Sequence, residues 1–275
     1  MNLFKYYCVL FFYHVPALAW KFSGGSFLRY LFLNYKLSLF LLTHKVFKNS
    51  KEKTFSLLYN KRKFTLELES SVDVAVLVEI FVLKEYDWVL ALKPKTILDL
   101  GAHWGDSSIF YTLEYPEAHI VAVEPNPGIF CRLQNHVKQF PNILPVNVAV
   151  AVQKGELDFF VSKNSMGNSL ERRSVGDKKI QVNVLSIFDL CEMSHTSVFD
   201  LIKFDIEGGE KYLFQDESIK ARANAFIGEI HLDLIDIKME DVINYFSGFH
   251  VEIKKLNSKR FIIKAIRKES SSNDL

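Results

Sequence analysis

The chain contains 275 residues, of which 49% are hydrophobic and 24% charged, with a formal net charge of +2 at pH 7. This composition is typical of a globular protein with a sizeable core, and it excludes a fibrous or wholly disordered chain. Three cysteines, far apart and without a C-x-x-C pair, argue against a disulfide framework or a structural zinc site. They favour a reducing compartment, so we predict a cytoplasmic protein.

The amino-terminal segment, residues 1–63, is strongly basic. It carries eleven Lys and Arg against one acid, Glu52, whereas the rest of the chain carries 23 against 31 acids. Aromatic residues are frequent in it, and Leu, Phe and Tyr recur at roughly helical spacing between residues 28 and 42. A basic, aromatic and amphipathic helical extension of this kind is typical of a segment that lies on a membrane surface.

Three other interpretations of residues 1–63 stay open. The helices could pack on the rest of the chain or on a partner subunit. A signal peptide or membrane span would have to use residues 6–20, but His14 and Pro16 interrupt this run, which is shorter than the ~20 residues a span needs. The segment could also bind nucleic acid, because aromatic side chains stack on bases and lysines pair with phosphates. Because no nucleic-acid module motif accompanies them, we expect no nucleic-acid partner.

The chain changes character after residue 63. Residues 64–69 alternate apolar and polar side chains, which predicts a half-exposed strand. Residues 72–92 form a long mixed apolar segment that we interpret mainly as helix. Pro94 then separates this segment from the next strand.

Residues 96–108 predict a strand, a tight glycine turn and a helix. The apolar run 97–100 is typical of a buried strand, and it ends at Gly101 and Gly105 before an apolar-periodic segment that begins at Ile109. Glycines let the backbone approach a ligand closely, and the free N–H groups at a helix start carry partial positive charge. The pattern therefore indicates a nucleotide-type binding loop.

A second buried strand, residues 119–123, ends at the acid Glu124. In a doubly wound sheet, an acid at this place can accept hydrogen bonds from both hydroxyls of a ribose. Neither G-x-G-x-x-G nor G-x-x-x-x-G-K-[ST] occurs, so no pyrophosphate site is indicated. Asp99 suits an ammonium better than a phosphate, which favours S-adenosylmethionine; alternatively, Asp99 only caps the turn that follows it.

The middle of the chain continues the alternation of strand and helix. Residues 127–139 show one apolar face and predict a helix, residues 143–152 a third strand, and residues 155–162 an added hairpin strand. The polar stretch 162–179 is long for a loop inside a domain, and such loops are usually functional or mobile. Residues 179–187 alternate as a strand, and a short helix begins at Phe188.

Acidic residues gather after the next two predicted strands, residues 199–206 and 225–232. Asp205 lies at the carboxyl end of the first of these strands and Glu207 directly follows it, at the edge of a parallel sheet where ligands bind. Alternation places Glu229 and His231 on one face of the second strand. The sequence therefore predicts a carboxylate and histidine cluster at this edge.

Three roles for the cluster stay open. If the methyl group of S-adenosylmethionine is transferred to an alcohol, a base must remove the hydroxyl proton. His231 is the first candidate for this base, because an unperturbed imidazole has a pKa near neutral. Alternatively, Asp205, Glu229 and His231 hold a divalent metal that orients the acceptor and lowers the pKa of its hydroxyl. In the third interpretation, Glu229 and His231 only satisfy N–H groups of nearby loops.

The carboxy-terminal part completes an α/β fold. Residues 240–246 predict a helix, and residues 250–256 and 260–266 predict an antiparallel hairpin at the sheet edge. We predict three parts: a helical extension over 1–63, an α/β domain over 64–268 and a flexible tail over 269–275.

Five segments, in this order, resemble successive signatures of the FkbM family of S-adenosylmethionine-dependent methyltransferases. They begin at Asp99 (DLGAHWGD), Val121 (VAVEPNP), Asn147 (NVAV), Val184 (VLSIFDL) and Ile202 (IKFDIEGGE). The resemblance covers roughly residues 79–232. It implies a Rossmann-like class I methyltransferase fold, with a mostly parallel central sheet and an antiparallel closing hairpin, and S-adenosylmethionine as cofactor.

The resemblance also implies functional residues and a substrate class. The cofactor-binding residues would be Asp99, Gly101, Ala102, His103, Gly105, Asp106, Glu124, Asn126, Asn147 and Ala149, with Asn147 and Ala149 near the adenine. Catalytic residues on the acceptor side would be Asp205, Glu207, Glu229 and His231. The polar loop 162–179 would contact the acceptor through Ser165, Asn168 or Ser169. The acceptor would be a hydroxyl of a sugar, a glycan, or a glycosylated or polyketide-type small molecule.

Two other classes of function compete with an O-methyltransferase. A binding or scaffold protein could retain the fold without catalysis, but we expect such a protein not to keep three unpaired acids, Asp99, Glu124 and Asp205, at strand ends. An NAD-dependent oxidoreductase is disfavoured because the pyrophosphate motif is absent.

Overall fold

The computed structural model of the protein describes residues 13–47, 53–86, 92–161 and 178–268. The chain divides into two compact units: residues 1–87 with 109–116, and residues 88–108 with 117–275. Most of the predicted acceptor loop, with Ser165, Asn168 and Ser169, lies outside the described residues, and so does the predicted tail, 269–275.

The described part of the first unit begins with two helices and a β-hairpin. Helix α1 spans Val15–Lys21, with Pro16 in its first turn, and α2 spans Phe27–Phe47. Strands β1 (Lys53–Tyr59) and β2 (Arg62–Leu68) pair antiparallel around Asn60 and Lys61, both at positive φ, as a two-residue hairpin turn requires. The inner faces of the strands bury alternate apolar residues, and Phe22 packs edge-on against Tyr59, Phe64 and Phe81.

Two sequence predictions for this unit need correction. The boundary predicted after residue 63 falls inside β2, and a hairpin joined by ladder hydrogen bonds forms one element. The helix predicted over residues 72–92 is shorter: α3 spans Ser71–Leu77 and continues as a π-helical turn, Val78–Val82. Lys84 follows at positive φ, where a helix cannot continue. In the described parts of the chain, no helix is both long and apolar enough to cross a membrane.

The second unit is built on a seven-stranded sheet within the described residues. The strands are β3 (Thr96–Leu100), β4 (His119–Val123), β5 (Ile143–Val146), β9 (Leu201–Phe204), β10 (Ala225–His231), β11 (Phe249–Lys255) and β12 (Arg260–Arg267). Their spatial order is β5-β4-β3-β9-β10-β12-β11. β12 is antiparallel to β10 and to β11, whereas the other pairs are parallel. The predicted Rossmann-like fold with an antiparallel closing hairpin is confirmed.

The strand order reverses between β3 and β9. From β3 the chain proceeds to β4 and β5 on one side, and it later returns to β9 and β10 on the other. At such a switch point, the carboxyl ends of neighbouring parallel strands leave a crevice in which open α/β sheets bind ligands. The loops that carry Gly101, Glu124, Asp205 and the end of β10 all lie at this edge.

Five helices described in this unit accompany its strands. They are α4 (Asp106–Glu114, which extends into the first unit from Ile109), α5 (Pro127–Val137), α6 (Ile187–Met193), α7 (Glu210–Gln215) and α8 (Met239–Tyr245). Leu190, Leu213 and Val242 from three of these helices share one buried cluster with side chains of the sheet, including Ile202 and Phe226. This core fixes the strand ends that form the site.

The third predicted strand, residues 143–152, is two strands in different sheets. β5 ends at Val146, and β6 (Ala149–Val150) pairs with β8 (Lys178–Leu185) in a separate sheet that also contains β7 (Gly155–Val161). Between them, Asn147 turns its side chain back to the backbone after β4. A continuous apolar pattern does not reveal that the chain changes sheets.

Candidate active site

The glycine loop after β3 is tied to the end of β4. The N–H groups of Gly101 and Ala102 both donate to the carbonyl of Val123, at 3.0 and 2.9 Å. Gly101, His103 and Gly105 have φ of +74°, +51° and +100°. A Cβ at Gly101 would lie 1.9 Å from the carbonyl oxygen of Asp205, so only glycine fits where the loops after β3 and β9 meet.

Glu124 stands at the centre of this loop. Its Oε2 accepts from the N–H of His103 at 3.1 Å and its Oε1 from the N–H of Asn126 at 2.8 Å. Burial raises the pKa of Glu124 to about 7, although His103 and the two N–H donors oppose that shift. Each carboxylate oxygen keeps a second lone pair for a further donor, such as a ribose hydroxyl.

Asp99 is fully buried beneath the loop instead of facing a ligand. Its Oδ2 accepts from the hydroxyls of Ser107 and Ser108, each at 2.6 Å, and its Oδ1 lies 3.1 Å from Nζ of Lys203. Lys203 also donates to the carbonyl of Gly101 at 3.0 Å. The ammonium that Asp99 contacts is therefore that of Lys203 and not one of a ligand. Its partners make Asp99 a residue that positions the loop.

The remaining predicted cofactor residues have structural partners. His103 Nδ1 lies 3.0 Å from Oδ2 of Asp106, and the carbonyl of Ala102 accepts from the N–H of Gly105. The side chain of Asn126 caps α5 by accepting from the N–H groups of Gly128 and Ile129. These contacts fix the shape of the loop and of the turn after β4.

Asn147 and Ala149, the two residues expected at the adenine, have different surroundings in the structure. Asn147 Nδ2 donates to the carbonyls of Glu124 and Pro125, at 2.7 and 3.1 Å, so it fixes the turn that presents Glu124. Ala149 is buried in a separate cluster with Phe159, because the chain has entered the second sheet there. The prediction for Ala149 is corrected accordingly.

The second group of site residues surrounds His231, the last residue of β10. Its Nε2 lies 3.3 Å from Oε2 of Glu207, 3.4 Å from Oε1 of Glu229 and 3.8 Å from Oδ1 of Asp205. His231 itself is completely buried, whereas the three acids are partly exposed. The cluster predicted from the two strand ends therefore forms in the structure.

Backbone geometry brings these side chains together. Glu207 and Gly208 have φ of +48° and +98°, and this turn directs Glu207 toward β10. A Cβ at Gly228 would lie 2.1 Å from the carbonyl of Phe204, so glycine allows β10 and β9 to approach closely. Arg260 stands beside the cluster, 3.6 Å from Glu229 and 3.9 Å from Glu207.

Glu210 orients the imidazole of His231. Its Oε1 lies 2.7 Å from Nδ1, and its Oε2 accepts from the N–H of Gly208. Burial by itself lowers the pKa of His231, but the bond to Glu210 and the charges of Asp205 and Glu207 outweigh burial and raise that pKa to about 9. His231 is then protonated at neutral pH. A pKa of about 9 removes the reason for choosing His231 as the base, and the identity of the base stays a prediction.

A family model for the methyltransferase FkbM domain matches residues 99–255, more than half of the chain. The chain belongs to the FkbM methyltransferase family. The matched range contains the glycine loop, Glu124 and the whole cluster around His231. This methyltransferase therefore uses S-adenosylmethionine, as the resemblance implied.

This FkbM methyltransferase is similar to the following relative and solved structures, each at low sequence identity. A protein named Methyltransferase 1 from Beauveria bassiana is 24% identical over 220 residues, which cover 72% of this chain and 84% of that protein. The structure of Aeropyrum pernix fibrillarin with natively bound S-adenosyl-L-methionine is 14% identical, with a TM-score of 0.44 over 78% of this chain and 82% of that chain. The structure of a precorrin-6y C5,15-methyltransferase from Geobacter metallireducens is also 14% identical, with a TM-score of 0.41 over 66% of this chain and 86% of that chain.

Sequence reasoning missed four partners in the site of this methyltransferase. Lys203, Ser107 and Ser108 satisfy Asp99, and Glu210 holds His231. The sequence does contain one indication of the pair between Lys203 and Asp99. Lys203 lies in the otherwise apolar run Leu201–Phe204, and a buried lysine requires an acidic partner. The claim that Asp99 is an unpaired acid is corrected, since its partner is the neighbouring strand's lysine.

Proposed function

We propose that this methyltransferase transfers the methyl group of S-adenosylmethionine to a hydroxyl of a sugar, a glycan, or a glycosylated or polyketide-type small molecule. The observation that carries the proposal is a group of partly exposed carboxylates at the ends of the two strands beside the glycine loop: Asp205 and Glu207 after β9, and Glu229 on β10. Carboxylates accept hydrogen bonds from hydroxyl groups and repel anionic acceptors. They suit a neutral, polyhydroxylated acceptor.

The cofactor would lie across the carboxyl ends of β3 and β4. Glu124 would accept hydrogen bonds from the ribose hydroxyls, because its oxygens are already oriented by the N–H groups of His103 and Asn126. The Gly101–Gly105 loop would lie along the amino-acid portion of the cofactor, where the absence of side chains at the two glycines permits close approach. Asp99 and Lys203 would support this loop from below.

The acceptor hydroxyl would enter beside Glu229. During transfer, the acceptor oxygen forms a bond to the methyl carbon while the bond from carbon to sulfur breaks, which leaves a neutral thioether. The hydroxyl proton passes to a carboxylate, for which we assign Glu229, because its carboxylate is partly exposed and lies beside the buried His231. His231 would hold the carboxylates in place through its contacts with Glu207 and Glu229.

The test is turnover with a panel of acceptors. The purified protein would be incubated with S-adenosylmethionine and neutral glycosides, anionic sugars or amines, and both S-adenosylhomocysteine and the methylated product would be identified by mass spectrometry. We expect a methyl ether on a neutral polyhydroxylated acceptor. Methylation of an amine nitrogen would overturn the oxygen assignment, and cofactor binding without turnover on any acceptor would favour a binding protein.

A further inference from the structure

We infer that Asp205, Glu207 and His231 form a binding site for a divalent cation. One ligand atom from each residue lies within 4.8 Å of the others. Carboxylate oxygens with one imidazole nitrogen form a mixed donor set, which suits Mn²⁺ and similar first-row cations. The sequence suggested Glu229 in place of Glu207; in the structure both lie at similar distances from Nε2, 3.4 and 3.3 Å, and the ligand atoms of Asp205, Glu207 and His231 are the ones that come together.

The surroundings of His231 Nε2 are separate evidence for a bound cation. The side chain is completely buried, and among the described residues Nε2 has no hydrogen-bond partner, although carboxylate oxygens stand around it. A buried nitrogen aimed into a group of acids without a hydrogen bond is unfavourable unless another ligand lies between them. A cation at that point would displace the proton from Nε2 and bind the nitrogen and the oxygens together.

The distances agree with a cation between the donors. Metal bonds of about 2.1 Å separate neighbouring octahedral ligands by about 3.0 Å and opposite ligands by about 4.2 Å. Nε2 lies 3.3 Å from the oxygen of Glu207 and 3.8 Å from the oxygen of Asp205, both between these limits. Small side-chain movements would therefore complete the coordination.

Glu210 acts as a positioning residue for this site. It is fully buried and lies 2.7 Å from Nδ1 of His231, so it selects the imidazole form that leaves Nε2 directed at the cation. A carboxylate on the far nitrogen is the usual support of a metal-bound histidine. Under the proposed function, on which this step rests, the cation would also hold the acceptor oxygen. Glu229 would remain available for the proton.

The test is calorimetric titration with MnCl₂ after chelator treatment, without S-adenosylmethionine. We expect one ion per chain, with at least a tenfold loss of affinity in Asp205→Asn and His231→Gln and a 10- to 100-fold loss in Glu210→Gln. Asp158→Asn, in a surface pair with Lys179, is the matched control and should keep full affinity. Each variant must still bind S-adenosylmethionine, which shows that it is folded.

The outcomes separate this site from the proposed function. Absence of Mn²⁺ binding, or binding of equal strength in wild type and His231→Gln, would overturn the site, because surface carboxylates alone would then hold the ion. Failure of the acceptor panel with normal Mn²⁺ binding would overturn the proposed substrate class and leave the site intact. Turnover that is unaffected by chelation would limit the cation to a structural role.

A second inference comes from α2, and it concerns the first unit alone. One face of this helix is buried through Leu33, Leu37, Phe40 and Leu41. The opposite face exposes large apolar side chains by 39–79%: Phe27, Leu28, Leu31, Phe32, Tyr35, Leu39 and Leu42. We propose that this exposed face binds an anionic membrane surface. Contiguous apolar patches of this kind mark interaction sites.

The positive charge of the amino-terminal segment indicates what binds to the exposed face of α2. Residues 1–51 carry seven Lys and Arg and no acid. A second copy would bring like charges together, whereas an anionic bilayer attracts each basic residue by about 1 kcal/mol and accepts apolar side chains into its headgroup region. Arg29 stands exposed within the apolar face. The helix would lie in the plane of the membrane surface.

Co-sedimentation with vesicles tests this surface. We expect binding to phosphatidylcholine vesicles that contain phosphatidylglycerol, at least tenfold weaker binding to phosphatidylcholine alone, and loss of binding in the double variant Leu28→Glu and Phe32→Glu. Ile243→Glu changes a 43% exposed aliphatic residue on a helix of the other unit and should bind normally. Equal binding to both vesicles would overturn the proposal, as would dimers in solution that the double variant abolishes.

Discussion

Lys203 Nζ lies 3.1 Å from Asp99 Oδ1, and the two side chains are only 2% and 0% exposed. The residues are cross-strand partners in the parallel pair β3 and β9. Burial by itself lowers the pKa of Lys203, but Asp99, with smaller contributions from Asp205 and Asp106, more than offsets burial and raises it. Lys203 therefore stays protonated at neutral pH, and the pair joins the glycine loop to the neighbouring strand.

Replacement of Lys203 tests the importance of this pair. We expect Lys203→Met to lower the free energy of unfolding by about 3–5 kcal/mol, because the carboxylate of Asp99 would stay buried without its counter-ion. Urea unfolding measures the change. Lys264→Met is the matched control: its partner Glu252 lies at the same 3.1 Å but is 63% exposed, so a loss below about 1 kcal/mol is expected. Equal losses would contradict the argument.

Glu124 should make cofactor binding depend on pH. Its pKa is raised to about 7, so the carboxyl is mostly protonated at pH 6 and mostly ionised at pH 8. The ionised form accepts more hydrogen bonds from ribose hydroxyls, so affinity should rise roughly tenfold from pH 6 to pH 8. Calorimetry with S-adenosylmethionine measures this slope. Glu124→Ala should bind weakly and without the slope, and full affinity in that variant would exclude the ribose contact.

Gly101→Ala should strongly weaken cofactor binding. Its Cβ would lie 1.9 Å from the carbonyl oxygen of Asp205, and φ of +74° disfavours alanine independently. The loops after β3 and β9 would have to separate, and we expect at least a hundredfold loss of affinity for S-adenosylmethionine. Gly155→Ala is the matched control because nothing lies within 4 Å of its Cβ. Normal binding by Gly101→Ala would show that the contact between the loops is dispensable.

Glu229→Gln should separate chemistry from cofactor binding. An amide cannot take the hydroxyl proton, so kcat on the accepted substrate should fall by about 10²- to 10⁴-fold while the affinity for S-adenosylmethionine stays unchanged. Steady-state kinetics and calorimetry measure the two effects. Glu252→Gln, which changes an exposed acid paired with Lys264, should keep wild-type kcat. If kcat survives in Glu229→Gln, another group accepts the proton.

The sequence alone determined the order of the core elements. Periodic apolar runs predicted β3, β4, β9, β10 and the closing hairpin, and all of them occur in the structure. Strand length and side-chain alternation depend only on residues that are close together in the chain, so they can be predicted from the sequence. The residues at the ends of those strands, including Glu124 and Asp205, followed from the same pattern and from the resemblance to the FkbM family.

Only the tertiary structure decided what these end residues contact. Asp99 was expected to face a ligand, but it faces Lys203, which lies 104 positions later in the chain and is its neighbour across the sheet. His231 was expected to titrate near neutral pH, but Glu210 and the other surrounding acids raise its pKa. Hydrogen bonds, burial and charge act through space, and the sequence alone does not show which distant groups become neighbours.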